Sequence, residues 1–150
     1  MTTVPVEQRL GLDIKRAEQA LMAEKNRVLA AHGLTVAQYA VLLTLRESPG
    51  ISGAGIARAC LVTPQAASAV LKTLELKGLV ARSRDEWTRN SSHIELTAEG
   101  GHLLAEADRD AAAVEQRILD VLTDAERTTL RGLLERCVSA VHPGGDTRKP

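Results

Sequence analysis

The sequence predicts a mainly α protein with one small β-ribbon, an α+β class, and three observations predict it. Two short helical stretches are separated by only Leu61 and Val62, so they must cross at a steep angle, as in a helix-turn-helix. Two strand-like runs follow at once, residues 79–84 and 93–96, with a polar loop between them. Long helical stretches with apolar stripes lie before and after this unit. Together these make a winged helix-turn-helix with long N- and C-terminal helices.

Residues 6–31 read as one long helix, because Leu10, Ile14, Ala17, Leu21 and Val28 recur at three- and four-residue steps. Gly33 stops it, since glycine takes the left-handed conformation without a Cβ penalty. Some 25 residues make about 38 Å of helix at ~1.5 Å each. A compact lobe cannot cover that length, so part of the stripe meets another surface. Residues 34–48 form the next helix, opened by a Thr35–Gln38 capping box, with Tyr39, Val41, Leu42 and Leu45 as its apolar side. Pro49 ends it by disfavouring helix in the residue before it. Ile51 is placed to add a third strand to the ribbon.

Ser52 caps a short helix over residues 53–60. Thr63 caps the next, and Pro64 sits at its first position, where a missing N–H costs nothing. This helix runs to Leu76 and stops at Gly78. Its period turns Ala67, Val70, Leu71 and Leu74 inward and Thr63, Gln65, Ala66, Ser68, Ala69 and Lys72 outward. After the ribbon a helix starts at 97–99 and reaches about Leu122, with Leu103, Leu104, Ala107, Ala111, Val114 and Ile118 at helical spacing. Thr123 and Glu126 form a second capping box, and Leu130, Leu133, Leu134, Cys137, Val138 and Val141 stripe the last helix. The expected divisions of this single intertwined domain are a dimerisation helix over 1–33, a winged lobe over 34–97, dimerisation helices over 98–142 and a disordered tail over 143–150. The outer stripes have no second domain to pack on, so a second copy of the chain is the simplest partner. A two-fold dimer is the commonest oligomer, and it offers two recognition helices to a near-palindromic DNA site.

At 150 residues, with 44% apolar and 25% charged residues, the composition is that of an ordinary globular protein. No apolar run approaches the ~20 residues needed to cross a bilayer, and no signal peptide is evident, so the expected location is cytoplasmic. Net charge is zero, but residues 63–89 hold five Lys/Arg against three Asp/Glu, while residues 101–150 hold seven against nine. A basic excess on one element suits DNA binding even when the rest of the body is acidic. Cys60 and Cys137 lie in no metal-ligand spacing and read as small buried hydrophobes. His32, His93, His102 and His142 form no metal spacing either, so no metal and no cofactor are expected. No phosphate loop, nucleophile motif or paired catalytic carboxylates stand out, so no enzyme is expected.

Within the helix-turn-helix, Gln65 suits the N6 and N7 of adenine, and Ala66 or Ala69 suits a thymine methyl. Thr63 shares their outward face, and Ser68 and Lys72 suit phosphate or base contacts. Side chains this small give modest direct readout, which leaves room for DNA shape to contribute. In the ribbon, Arg84 and Arg89 are candidate DNA contacts, whereas Arg82 also fits a structural role. Trp87 is expected to pack the wing against the body.

These residues resemble the MarR family of bacterial transcription regulators over roughly residues 10–141. The matching segments are Leu34-Thr35-x-x-Gln38-Tyr39, Ile56-Ala57, Thr63-Pro64, Leu74-Glu75-x-x-Gly78-Leu79-Val80-x-Arg82 and Ile94-x-Leu96-Thr97-x-x-Gly100. The resemblance implies a homodimer on double-stranded DNA, more often a repressor than an activator. Recognition helices would enter successive major grooves and wings would lie along the flanking minor grooves. It also implies a small-molecule effector between the dimer helices and the DNA-binding lobe, near Leu21, Tyr39, Leu42 and His102. The family's wing carries Asp-x-Arg just before its second strand; here those positions hold Thr88 and Asn90, with Arg89 between them. Arg89 or Arg84 would then replace the missing arginine. Two other readings stay open: a redox-switched regulator working through Cys60 or Cys137, and a winged-helix module that binds protein rather than DNA.

Overall fold

Capping chemistry sets most helix limits in the computed structural model, which describes residues 3–84 and 92–142. A 3-10 turn at Val6–Gln8 precedes α1 (Gly11–Ala30), followed by α2 (Val36–Glu47), α3 (Gly53–Ala59) and α4 (Pro64–Leu76). Strands β1 (Val80–Arg84) and β2 (Ser92–Leu96) come next, then α5 (Ala98–Asp120) and α6 (Asp124–Val141). Contacts divide the chain into two units, Met1–Ala112 and Ala113–Pro150.

In the first unit, Thr35 and Gln38 form the expected capping box, and Ser52 and Thr63 cap α3 and α4 through their hydroxyls. Three helix ends share one geometry. Gly33 and Gly78 have φ of +68° and +72°, and each is followed by a leucine whose N–H returns to a carbonyl five residues back: Leu34 to Leu29, and Leu79 to Leu74. All four leucines are buried in the core. The α3 end repeats the pattern with Leu61 at φ +56°, where the N–H of Val62 reaches the Ala57 carbonyl. A leucine there costs roughly 1 kcal/mol of backbone strain. This tight turn bends α4 by 107° from α3.

The two strands pair antiparallel with Val80 opposite Leu96 and Arg82 opposite Ile94. Val80 and Ile94 are buried beneath the ribbon, against a core built from Leu29, Leu42, Leu45, Ile56, Leu71, Leu74 and Leu104. Thr97 joins the ribbon to α5: its N–H donates to the Leu79 carbonyl, and its hydroxyl donates to the Gly78 carbonyl and accepts from Gly100 N–H. Gly100 is glycine for a steric reason, because a Cβ there would collide with the Leu79 carbonyl.

Three sequence expectations are corrected, and the α1 stripe is extended by one residue. Residues 6–31 are not one helix: Arg9 is extended, its Nε donates to the Val4 carbonyl, and no side chain caps α1. The apolar stripe of α1 also includes Leu29, which is fully buried, whereas Leu10 and Ile14 stay exposed. Ile51 adds no strand; its N–H donates to the Ser48 carbonyl and its side chain packs beside Gly55. Cys60 follows α3 as its cap and is half-buried rather than buried. The expected tail, 143–150, lies outside the described residues.

In the second unit, Thr123 and Glu126 form the second capping box, and Arg127 Nε donates to the Leu119 carbonyl across the turn. No residue of α6 is buried. Leu130, Leu133, Leu134 and Val138 remain exposed on it.

Two substitutions separate these backbone demands. Gly100→Ala gains roughly 1 kcal/mol of helix propensity but meets the Leu79 carbonyl, so urea unfolding is expected to show a net loss of about 1–3 kcal/mol. Leu61→Gly relieves the left-handed strain and is expected to gain about 0.5 kcal/mol. A neutral or stabilising Gly100→Ala would show that the close approach does not exist.

Candidate nucleic-acid interface

The outward face of α4 is where the sequence places it. Thr63, Gln65, Ala66, Ser68, Ala69 and Lys72 are all exposed, while Ala67, Leu71 and Leu74 are buried and Val70 is half-buried. Thr63 Oγ1 accepts from the Ala66 N–H and its carbonyl from the Ala67 N–H, and Pro64 has no N–H to satisfy. An outward hydrogen-bonding amide (Gln65), a hydroxyl (Ser68) and an ammonium (Lys72) thus share a face whose remaining side chains are small. Such a face can approach a groove closely and meet both base edges and phosphates. A cavity of about 110 Å³ lies where α3, α4 and the ribbon meet, lined by Gly53, Pro64, Ser68, Leu71, Arg82 and Ile94.

In the ribbon, Arg82 Nε donates to Glu75 Oε1 at 2.6 Å, the structural role the sequence allowed. Arg84 ends β1 opposite Ser92. Arg89, Trp87, Thr88 and Asn90 lie outside the described residues, so the expectations for them do too.

The four effector positions have different surroundings. Leu21 is half-buried on α1 and His102 is exposed on α5, whereas Tyr39 is buried and Leu42 is sealed inside the core. Tyr39 belongs to a polar group that the sequence reading missed. Its hydroxyl donates to Asp108 Oδ1 at 2.7 Å, and Arg46 Nη2 donates to Asp108 Oδ2 at 2.9 Å. Nearby in sequence, His32 Nε2 donates to Asp110 Oδ2 at 2.6 Å. One signal was available: Tyr39 and Arg46 are seven residues apart on α2 and so share a face. Burial pushes the Asp108 carboxyl up, but hydrogen bonds from Tyr39 and Arg46, with the charges of Arg46 and Lys25, outweigh it and leave it below the usual carboxylate range. The Arg46 guanidinium is raised in turn, first by its hydrogen bond to Asp108 and then by that to Glu47.

Cys60 and Cys137 carry no disulfide; Cys60 Sγ lies 3.5 Å from Thr44 Oγ1. Among the described residues, no group of three or more His, Cys, Asp and Glu side chains is arranged to hold a metal. No single helix among them is long and apolar enough to cross a membrane.

Residues 32–86, the segment that holds this face, match the sequence model of the MarR family. The HTH-type transcriptional repressor Rv2887 of Mycobacterium tuberculosis is 35% identical over 127 residues, covering 85% of this chain and 91% of the relative. The chain belongs to the MarR family.

Two MarR-type structures show the likeness in three dimensions. The transcriptional repressor CouR, bound to a 23-mer DNA duplex, superposes with a TM-score of 0.79 at 29% identity, over 91% of this chain and 99% of that one. BpsR of Bordetella bronchiseptica, whose DNA binding is regulated by 6-hydroxynicotinic acid, gives 0.80 at 26% identity, over 91% and 97%. Rv2887 has also been solved with salicylic acid, with a TM-score of 0.66 at 33% identity over 90% of this chain and 97% of that one. Against the MarR motif residues, the structure supplies reasons: Leu74 and Leu79 flank the left-handed Gly78, Glu75 pairs with Arg82, and Gly100 admits the Leu79 carbonyl.

Asp108 gives a pH test. Its folded pKa is depressed, so its contribution to stability is complete above the unfolded value, about 3.9, and is lost as pH falls through the lower folded value. Asp108→Asn is therefore expected to be less stable than wild type at pH 7, with the gap closing in acid. An equal gap at pH 7 and at about pH 2 would show that the carboxylate charge contributes nothing.

Proposed function

We propose that this MarR-family chain is a homodimeric, sequence-specific DNA-binding repressor that acts on a near-palindromic operator and is released by a small-molecule effector. The observation that carries the reading is the α4 face, where every position expected to meet DNA is exposed. CouR, of similar fold and 29% identical, is bound to duplex DNA in its structure, which supports the same use of this lobe. Thr63, Gln65, Ala66, Ser68, Ala69 and Lys72 make the major-groove contacts, and Arg84 and Arg89 serve the wing. The relatives named are regulators of transcription and not enzymes, and this chain has no enzymatic role in our reading. Its place of action is the cytoplasm.

A second copy of the chain covers the apolar side chains that each unit leaves in water. Those are Leu10 and Ile14 at the start of α1, and Leu130, Leu133, Leu134 and Val138 on α6. In this arrangement 1–33 and 98–142 hold the dimer, and 34–97 is the DNA-binding lobe. DNA binding requires the two copies of α4 to sit about one helical turn apart, roughly 34–36 Å. An effector that binds another spacing better weakens DNA affinity by its differential binding to the two states. The effector class is a small aromatic acid, in line with salicylic acid on Rv2887 and 6-hydroxynicotinic acid on BpsR. Its neighbourhood is Leu21, Tyr39, Leu42 and His102, with Leu42 reached only through a change in packing.

Selection from random duplexes with the purified chain tests this. The expected product is a near-palindrome that takes up two chains, with affinity falling steeply as salt rises because phosphate contacts release counterions. Gln65→Ala is expected to cost about 1–3 kcal/mol and to relax preference at one base pair. Enrichment of no duplex, even at low salt, would sink the DNA-binding reading in favour of a protein-binding winged helix.

A further inference from the structure

The first half of α5 is seated on the lobe by a face with little apolar bulk. Leu104, Ala107 and Ala111 are its members of the core, each fully buried. Asp108 lies four residues from Leu104 and three from Ala111, so it falls on the same face. The alanines bring α5 close, but a methyl group makes few contacts and resists rotation of the helix weakly. Asp108 supplies what they lack. Its two oxygens take separate donors from α2: Tyr39 Oη at 2.7 Å and Arg46 Nη2 at 2.9 Å. Those donors stand seven residues apart, so the carboxylate is gripped from two points about two turns apart along α2. The charge of Lys25 on α1 favours the same carboxylate. Two residues on, Asp110 Oδ2 meets His32 Nε2, just past the end of α1, at 2.6 Å. Beyond these ties α5 continues unbroken to Asp120.

We propose that Asp108 is a positioning residue for operator binding: by joining Tyr39 and Arg46 it fixes the rotation of α5 on α2, and so the separation at which a dimer presents its two copies of α4. The inference rests on the dimeric DNA-binding reading above. Within the lobe α2 packs against α4, while α5 runs on into the segment that holds the dimer in that reading. A rotation at this seat is carried to α4 through the packed lobe and changes the separation. Asp108 itself meets no DNA, because both of its oxygens are engaged within the lobe. A purely structural role gives a different signature. Loss of folded protein lowers binding to every duplex by one factor, whereas loss of position lowers it most at the best half-site spacing.

The test uses the full chain and the duplex enriched by selection, with its half-sites moved together or apart in single base-pair steps. The wild-type chain is expected to prefer one spacing sharply. Asp108→Ala is expected to bind that duplex roughly tenfold more weakly, the scale of two part-exposed charged hydrogen bonds, and to lose most of its preference among spacings. Its slope of log affinity against log salt stays at the wild-type value, since no phosphate contact is lost. Tyr39→Phe and Arg46→Met each remove one donor, give smaller changes in the same direction, and decide the matter if Asp108→Ala does not fold. A second readout needs no DNA. Leu76 is exposed in the last turn of α4, so a spin label on Leu76→Cys, in a chain carrying Cys60→Ser and Cys137→Ser, reports the distance between the two copies of α4. That distance distribution is expected to broaden or shift in Asp108→Ala. Equal weakening at every spacing, or an unchanged label distribution, would overturn the proposal. If the wild-type chain bound no duplex, the DNA reading would fail, and the labels would still decide whether Asp108 sets the separation. A monomeric chain would overturn both.

Discussion

The corner at Gly78–Leu79 is the point on which the winged lobe depends. Three elements meet within a few residues there. Leu74 and Leu79 close the end of α4 into the core around a left-handed glycine. The Leu79 carbonyl accepts from Thr97, which also holds the Gly78 carbonyl and caps the first turn of α5. Because α5 must pass against that carbonyl, residue 100 can carry no side chain. The direction in which α4 points, the start of the ribbon and the entry of α5 are thus set by one small hydrogen-bonded knot. A buried backbone group without a partner would be costly, and this knot gives partners to the Leu74, Gly78 and Leu79 carbonyls and to the Gly100 and Gly101 amides.

Charge is distributed in keeping with this division. The chain is neutral overall, so it has no general attraction for a polyanion. Arg46 is committed to Asp108 and Glu47, and Arg82 to Glu75. Lys77 is spent inside the lobe as well, donating to the Gly33 carbonyl at 2.9 Å. On the outward face of α4, Lys72 remains beside small side chains. A regulator built this way would gain its affinity from a few placed contacts, and its preference from close approach and DNA shape more than from a basic coat.

Each unit also leaves apolar surface uncovered. At the start of α1, Leu10 and Ile14 are exposed, and α6 has no buried residue at all. An amphipathic helix gains most of its stability from the packing of its apolar face. A chain with a helix like α6 therefore gains by association, and the dimer we propose meets that need while pairing two recognition helices.

Local chemistry made much of this legible in the sequence alone. Caps act within a few residues, so Thr35 with Gln38, Thr63 with Pro64, the left-handed Gly33 and Gly78, and Thr123 with Glu126 marked helix limits directly. Helical period separated the exposed from the buried face of α4, and the expected base-contact residues lie on the exposed one. The tertiary structure decided what period and capping cannot carry. Arg9 breaks the first helix, Ile51 packs near Gly55 instead of joining the ribbon, and Leu29 rather than Leu10 anchors α1. Tyr39, Arg46 and His32 find their carboxylates 62 to 78 residues away. Which distant partner a polar side chain meets depends on how whole helices pack. A capping residue names its partner within one turn, whereas an arginine on an exposed face is compatible with many, and only the assembled fold selects among them.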